Sequence, residues 1–327
     1  MEEKRLYPLG FCTLADKYGW GTDEFLLADL RYRDSLIREG WLAGNSMGEL
    51  METYMDRLVG DNAFSFWGLQ FPFQLKRLGV DGTMPLCVHP DAETAFQRYD
   101  FLGREKLWYV RSAAPGATLL IGWARDTDAT LVWEKCLDGT VGELLNSFPA
   151  KAGDFVRIPP GTPHSAKGKL ELIEVSESSP LDFCLSGLGQ EVHPDQFDEA
   201  LTLVDALDFL DYRAFASGIQ TCTGAPAEVL ADLPEFRVVR RVLSSPVKVS
   251  GDTDTFVAYV CTEGSASLQM DVLGRTAVFP LAGGKALLVP AECPGYALVP
   301  TAQDTVVLEI TVPFREERDG YLTSAGR

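Results

Sequence analysis

The stretch PLCVHPDAE, residues 85–93, sets a thiol and an imidazole two residues apart, at Cys87 and His89. On a strand, alternation sends both side chains to the same face. Thiolate and imidazole are two of zinc's preferred ligand types. The Pro90-Asp91 pair that follows ends the strand in a turn. A second stretch, GDFVRIPPGTPHSAKGKLELIEV, delivers His164 from a Pro/Gly-bounded turn between two strands. The chain has three histidines, and the third, His193 in EVHPDQF, reads as a strand-to-helix corner residue. The candidate metal ligands are therefore His89, His164 and Cys87. Two imidazoles and a thiolate could hold Zn²⁺, or another divalent metal, with one position left open. Cys87 reads equally well as a small core hydrophobe.

These residues need strands to position them, and the sequence supplies many. FPFQLKRLGV, MPLCVHP, KLWYVRS, ATLLIGWA, DFVRIPP and KLELIEVSES are short, β-rich and separated by Gly, Pro or Asp. Strands return from about Phe236 in EFRVVRRVLSS, TFVAYVCTEGSASLQM, TAVFPLAGGKALLVPA, YALVP and TVVLEITVP. Residues 23–60 read as helical, opening at a capping Thr22 and restarting at Ser46 in SMGELMETYMDRLVG. DQFDEALTLVDALDFLDY, residues 195–212, reads as an amphipathic connecting helix. Many short strands with little helix between them predict antiparallel sheets closed as barrels or jelly rolls. An internal echo supports duplication. AKAGDFVRIPPGTPHSA (150–166) and PLAGGKALLVPAECPGYA (280–297) share a pattern, with Pro163 over Pro294 and His164 over Gly295. Any metal chemistry belongs to the first copy, which alone carries the histidine.

At 327 residues the chain is long for one core, and two domains are expected, 1–215 and 216–327. Apolar residues make up 46% of the chain, and Asp plus Glu outnumber Lys plus Arg by 47 to 29, for a formal charge of −18. That field disfavours nucleic acid and anionic lipid. No apolar run approaches the about 18 residues that suggest a membrane span. MEEKRLYPLGF lacks the apolar core of a signal peptide, and the seven cysteines are scattered without CxxC spacing, so a reducing cytoplasm is expected.

The hairpin pattern Gly-Asp, strand, Pro-x-Gly-x-x-His, strand is that of the cupin superfamily. Five motifs in order then resemble class I mannose-6-phosphate isomerases: Trp20-Gly21, FPFQLKRLGV, LCVHPDAE, LGREKLWYV and GDFVRIPPGTPHSA with LELIE. The resemblance implies two cupin-type β-barrel domains, a helical insertion and a zinc-dependent aldose–ketose isomerisation of a sugar phosphate, with a proton moving between C1 and C2 through an enediol. It places His89 and His164 on the two histidine ligands, Lys76 on the lysine of the Phe-Pro strand and Glu174 on the acid ten residues after the hairpin histidine. Arg104 stands for a lysine, and Trp20 for the N-terminal tryptophan. Cys87 stands where the family has a glutamine ligand, Lys106 where it has the glutamate ligand, and Gln190 where an arginine is expected. The expected catalytic group is Glu174, Lys76 and Arg104, with Lys106, Trp20 and Gln190 toward the substrate.

Lys106 has its own meaning in charge terms. An ammonium adds to a metal's charge where a carboxylate would offset it. Strand alternation puts the neighbouring Glu105 on the opposite face. With Lys76 and Arg104, an inward Lys106 would form a basic pocket suited to a small anionic sugar or sugar phosphate. Three functions follow: a divergent sugar-phosphate isomerase, a cupin that binds such sugars without turnover, or a cupin with other metal chemistry on Cys87, His89 and His164.

Overall fold

Strand dominates the chain, as the alternating runs predict. The computed structural model describes residues 5–30, 32–186, 199–251, 254–272 and 274–314. No helix among them is long and apolar enough to cross a membrane. Contacts divide the chain into two compact units: 15–24 with 76–222, and 1–14 with 25–75 and 223–327. Both described histidines, His89 and His164, belong to the first of these. The division is interleaved, where the sequence suggested a single cut near residue 215.

In the histidine-bearing unit the main sheet runs in the order Gln220–Thr221, Asp154–Ile158, Lys106–Ala113, His164–Glu177, Phe73–Thr83, Gly21–Leu27 and Leu14–Tyr18. The 14-residue strand His164–Glu177 organises the barrel. Its first residues pair with Leu86–Val88 and Thr118–Trp123, in registers His164↔Cys87 and His164↔Ile121. Its later residues pair with Lys106–Ala113, in registers Glu174↔Trp108 and Ser176↔Lys106. The change of partner falls at Gly168, whose φ of +97° is open chiefly to glycine and where a Cβ would lie 2.9 Å from the Ala117 backbone. Ten residues of straight strand span about 33 Å. The corner folds that length so that both ends face one interior.

Leu78, Trp108, Val110, Ile121, Val156 and Leu172 fill part of that interior. A second cluster, including Leu86, Val88, Trp123 and Phe183, packs against the helix Glu199–Phe209 through Ala206. That helix is the described part of the expected connecting helix. Asp91 caps a further helix, Ala92–Tyr99, by accepting from the Thr94 N–H at 2.7 Å, so the turn after His89 leads straight into a helix.

The second unit stacks a six-stranded sheet with a four-stranded one around Tyr259, Leu268, Leu287, Leu298 and Val307. Its helices are Met47–Val59, closed by a Ser46/Glu49 capping box, and Asp61–Trp67. The helical reading of 23–45 is corrected here. Gly21–Leu27 is a strand, followed by short pairs at Asp29–Leu30 and Arg33–Asp34. Phe25, Leu26, Leu27 and Ala28 are all buried. Four consecutive buried apolar residues are the mark of a strand covered on both faces, which periodicity alone confuses with a helix.

Candidate active site

Lys106 begins the strand Lys106–Ala113, with Trp108 two residues on, and both are almost wholly buried. Glu105 turns outward to pair with Arg157 at 2.7 Å, as alternation requires. His164 begins the strand that Gly168 folds back, and Glu174 lies on its far arm. The loop before His164 is tied to the other histidine strand, because the Gly161 N–H donates to the His89 carbonyl at 2.9 Å. His89 and His164 meet edge-on, with ring centres 5.1 Å apart at 89°.

At the centre lies the Lys106 ammonium. Nζ donates to His164 Nε2 at 2.8 Å and lies 3.4 Å from Asp182 Oδ1 and 3.5 Å from Glu174 Oε2. His164 Nδ1 faces the Thr162 carbonyl at 3.0 Å. A carbonyl only accepts, so Nδ1 carries the ring proton and Nε2 offers its lone pair to Lys106. Glu174 is held from every side. Oε2 accepts from Trp108 Nε1 at 2.7 Å, and Oε1 accepts from Arg104 Nη2 at 3.1 Å and Ser176 Oγ at 3.3 Å. Arg104 Nη1 reaches Asp182 Oδ2 at 2.5 Å. Lys76 Nζ pairs with Asp23 Oδ2 at 2.8 Å.

These contacts fix the charges. Burial alone would raise the Glu174 pKa, but the cations of Lys106, Arg104 and Lys76 outweigh it and hold the carboxyl well below the usual range. Burial likewise opposes Asp182, and Arg104 and Lys106 overcome it, keeping that carboxyl ionised. Burial and then the Lys106 charge push His164 down from 6.5 to about 3. His89 is lowered well below 6.5 for the same reasons, with its ring nitrogens buried and without a hydrogen bond of normal geometry, although the Ile158 backbone acts on the ring. Both imidazoles are therefore neutral at pH 7. The Lys76 pKa is raised: burial opposes its charge, but Asp23 prevails.

The structure thus gathers Lys106, Arg104, Glu174, His89 and His164, with Lys76 linked to them electrostatically. It also adds Asp182 and Asp23, which the sequence reading missed. They change the character of the pocket. The basic pocket expected from Lys76, Arg104 and Lys106 is an ion-pair network, in which each of the three cations meets a carboxylate. Asp182 leaves no motif in SSPLDFC. It arrives because Phe183–Ser186 pairs with Leu86–Val88, in register Phe183↔Val88 and Cys184↔Cys87. Its side chain is 30% exposed, so the buried cluster meets solvent there.

Cys87 lies outside the ligand group. Its sulfur faces Cys184 Sγ at 2.7 Å, and that contact together with burial raises the thiol's pKa well above 9.0. Trp20 packs in the hydrophobic core, stacked on Tyr18 at 5.3 Å and 7° between planes. Gln190 and His193 lie outside the described residues.

Among the described residues, His89, His164 and Asp182 form the one group that could hold a metal ion, with ligand atoms all within 4.8 Å of one another. Two Zn–N bonds of 2.1 Å span at most about 4.2 Å, so the trio needs only slight closure. With Lys106 in place the fit fails. Its ammonium takes the His164 lone pair and lies beside the Asp182 carboxylate, two of the three ligands a zinc ion would use.

No family model matches the sequence. The chain is 26% identical over 223 residues to a mannose-6-phosphate isomerase of Streptococcus mutans, covering 66% of this chain and 67% of that protein. It is 28% identical over 151 residues to the mannose-6-phosphate isomerase ManA of Bacillus subtilis, covering 44% of each. The crystal structure of a Bacillus subtilis mannose 6-phosphate isomerase shares the fold, with a TM-score of 0.76 at 18% identity over 93% of this chain and 99% of that one. Barrels and topology together define a cupin-type fold. The sequence relatives are named mannose-6-phosphate isomerases, and the chain diverges from them at 26% and 28% identity.

Proposed function

We propose that this protein interconverts an aldose phosphate and a ketose phosphate in the barrel of its histidine-bearing unit. The observation that carries this is the buried cluster of Lys106, Arg104, Glu174 and His164 inside a barrel whose sequence relatives are named mannose-6-phosphate isomerases. Asp182 marks the way in. Isomerisation moves a proton between C1 and C2, and negative charge builds on the oxygens of the enediol between them. Lys106 and Arg104 are fixed positive groups that would oppose that charge, at no cost in reorganisation. Glu174 is ionised, fully buried and within 3.5 Å of Lys106 Nζ and 3.1 Å of Arg104 Nη2, so it is the proton acceptor of this scheme. Lys76, held by Asp23, adds positive charge for the anionic substrate.

A base works best when its pKa lies near the operating pH. Glu174 lies far below that, so turnover is expected to be slow. The same observation favours a second function: a pocket that binds the sugar phosphate and does not turn it over. Following mannose 6-phosphate and fructose 6-phosphate by NMR in the presence of a chelator separates the two. Interconversion abolished by Glu174→Gln supports the isomerase. Binding by tryptophan fluorescence, with no interconversion after long incubation, supports the binder. Neither binding nor interconversion with a panel of hexose and pentose phosphates would remove both.

A further inference from the structure

We propose that the Lys106 ammonium is the resident cation of this site, standing where a divalent metal would sit among His89, His164 and Asp182 and excluding one. Three acceptors converge on its Nζ: His164 Nε2 at 2.8 Å, Asp182 Oδ1 at 3.4 Å and Glu174 Oε2 at 3.5 Å. Two of these are the atoms a metal would use. The third, Glu174, is anchored by Trp108 and Arg104 and does not need a metal to hold it. Lys106 is 2% exposed and the first residue of a paired strand, so backing out would strip the buried Glu174 Oε2 and His164 Nε2 of the ammonium they face.

The tautomer of His164 is set for this partner. The Thr162 carbonyl accepts from Nδ1–H, and Nε2 presents its lone pair to the ammonium as it would to a metal. The charge balance suits one positive charge as well. Arg104 already neutralises part of Glu174 and Asp182, so a divalent ion added beside Lys106 and Arg104 would face two fixed cations with its ligands already shared. The metal position is therefore held by a fixed, non-exchangeable ammonium, and the ligand of the site is an anionic sugar met by that group. The sugar rests on the function proposed above, but the exclusion of metal does not, because it can be read without any sugar.

The test is a zinc titration of chelator-stripped protein, by competition with a chromophoric chelator and by metal content after dialysis. The set is the wild type, Lys106→Met, His164→Ala and the double variant. Wild type should take up no His164-dependent zinc. Lys106→Met should bind one equivalent at least about 100-fold more tightly than the wild type, and lose it when His164 is also replaced. One equivalent in the wild type that His164→Ala removes would overturn the proposal. So would a folded Lys106→Met protein with no gain in affinity. If Lys106→Met fails to fold by circular dichroism, the wild type against His164→Ala decides alone: uptake that depends on His164 overturns the proposal, and its absence upholds it. A failed isomerase assay would leave this result standing.

Discussion

The two units fill similar sheets with opposite chemistry. Among the described residues, every buried charged side chain belongs to the histidine-bearing unit: Glu24, Lys76, Arg104, Lys106, Asp154, Glu174 and Glu177, together with both described histidines. Among its described residues, the second unit buries only uncharged polar groups: Ser35, Gln74, Thr262, Ser267 and Thr305. Its interior is closed by leucines, valines and a tyrosine pair, Tyr259 and Tyr296, with hydroxyls 2.8 Å apart. Where the first copy of the hairpin has His164, the second has Gly295. The contrast separates a barrel packed for stability from one that gives up apolar packing to hold charges in fixed positions. Buried ion pairs are weak sources of stability, but breaking one is costly.

The largest expected effect follows from that asymmetry. Glu174→Gln leaves Lys106 and Arg104 short of a counter-charge and should lower the free energy of unfolding by about 3–5 kcal/mol in urea titrations. A loss near zero would mean that the network is solvated rather than buried. Acid comes next. Folded His164 stays neutral down to about pH 3, whereas the unfolded chain takes up the proton below 6.5. The stability it contributes is complete above 6.5 and falls as pH drops. Between pH 6.5 and 5 the loss is about 2 kcal/mol from His164, with His89 acting in the same direction. Urea midpoints for His164→Asn should show a correspondingly shallower acid dependence.

In the second unit, Tyr259→Phe removes one hydroxyl from the pair with Tyr296 and Glu309. It should cost about 1 kcal/mol in the same assay, with no dependence on pH between 5 and 7. Smallest of all, Arg157→Ala breaks an exposed pair with Glu105, and a shift of about 0.5 kcal/mol or less is expected in thermal melts.

Much of the site could be read from the sequence. His89, His164, Lys76, Arg104, Lys106 and Glu174 all sit on motif positions, and strand alternation alone sends Lys106 inward and Glu105 outward. Asp182 and Asp23 could not be found that way. Each reaches its cation through strand pairing distant in sequence, and a lone Asp, inside a strand as Asp23 or just before one as Asp182, carries no spacing signal. Without them, Lys76, Arg104 and Lys106 read as a basic pocket, whereas Asp23 and Asp182 offset that charge. The strand Gly21–Leu27 is hidden for a different reason: its apolar end, buried on both faces, has no period to read. The interleaving of the two units was hidden because chain order says nothing about which sheet a segment joins.

The most direct test of the account is hydrogen exchange at C2 of mannose 6-phosphate in D₂O, followed by NMR in the presence of a chelator. The wild type should incorporate deuterium slowly without metal, and Glu174→Gln and Lys106→Met should each abolish that incorporation. Incorporation that appears only when zinc is added to the wild type would contradict the account.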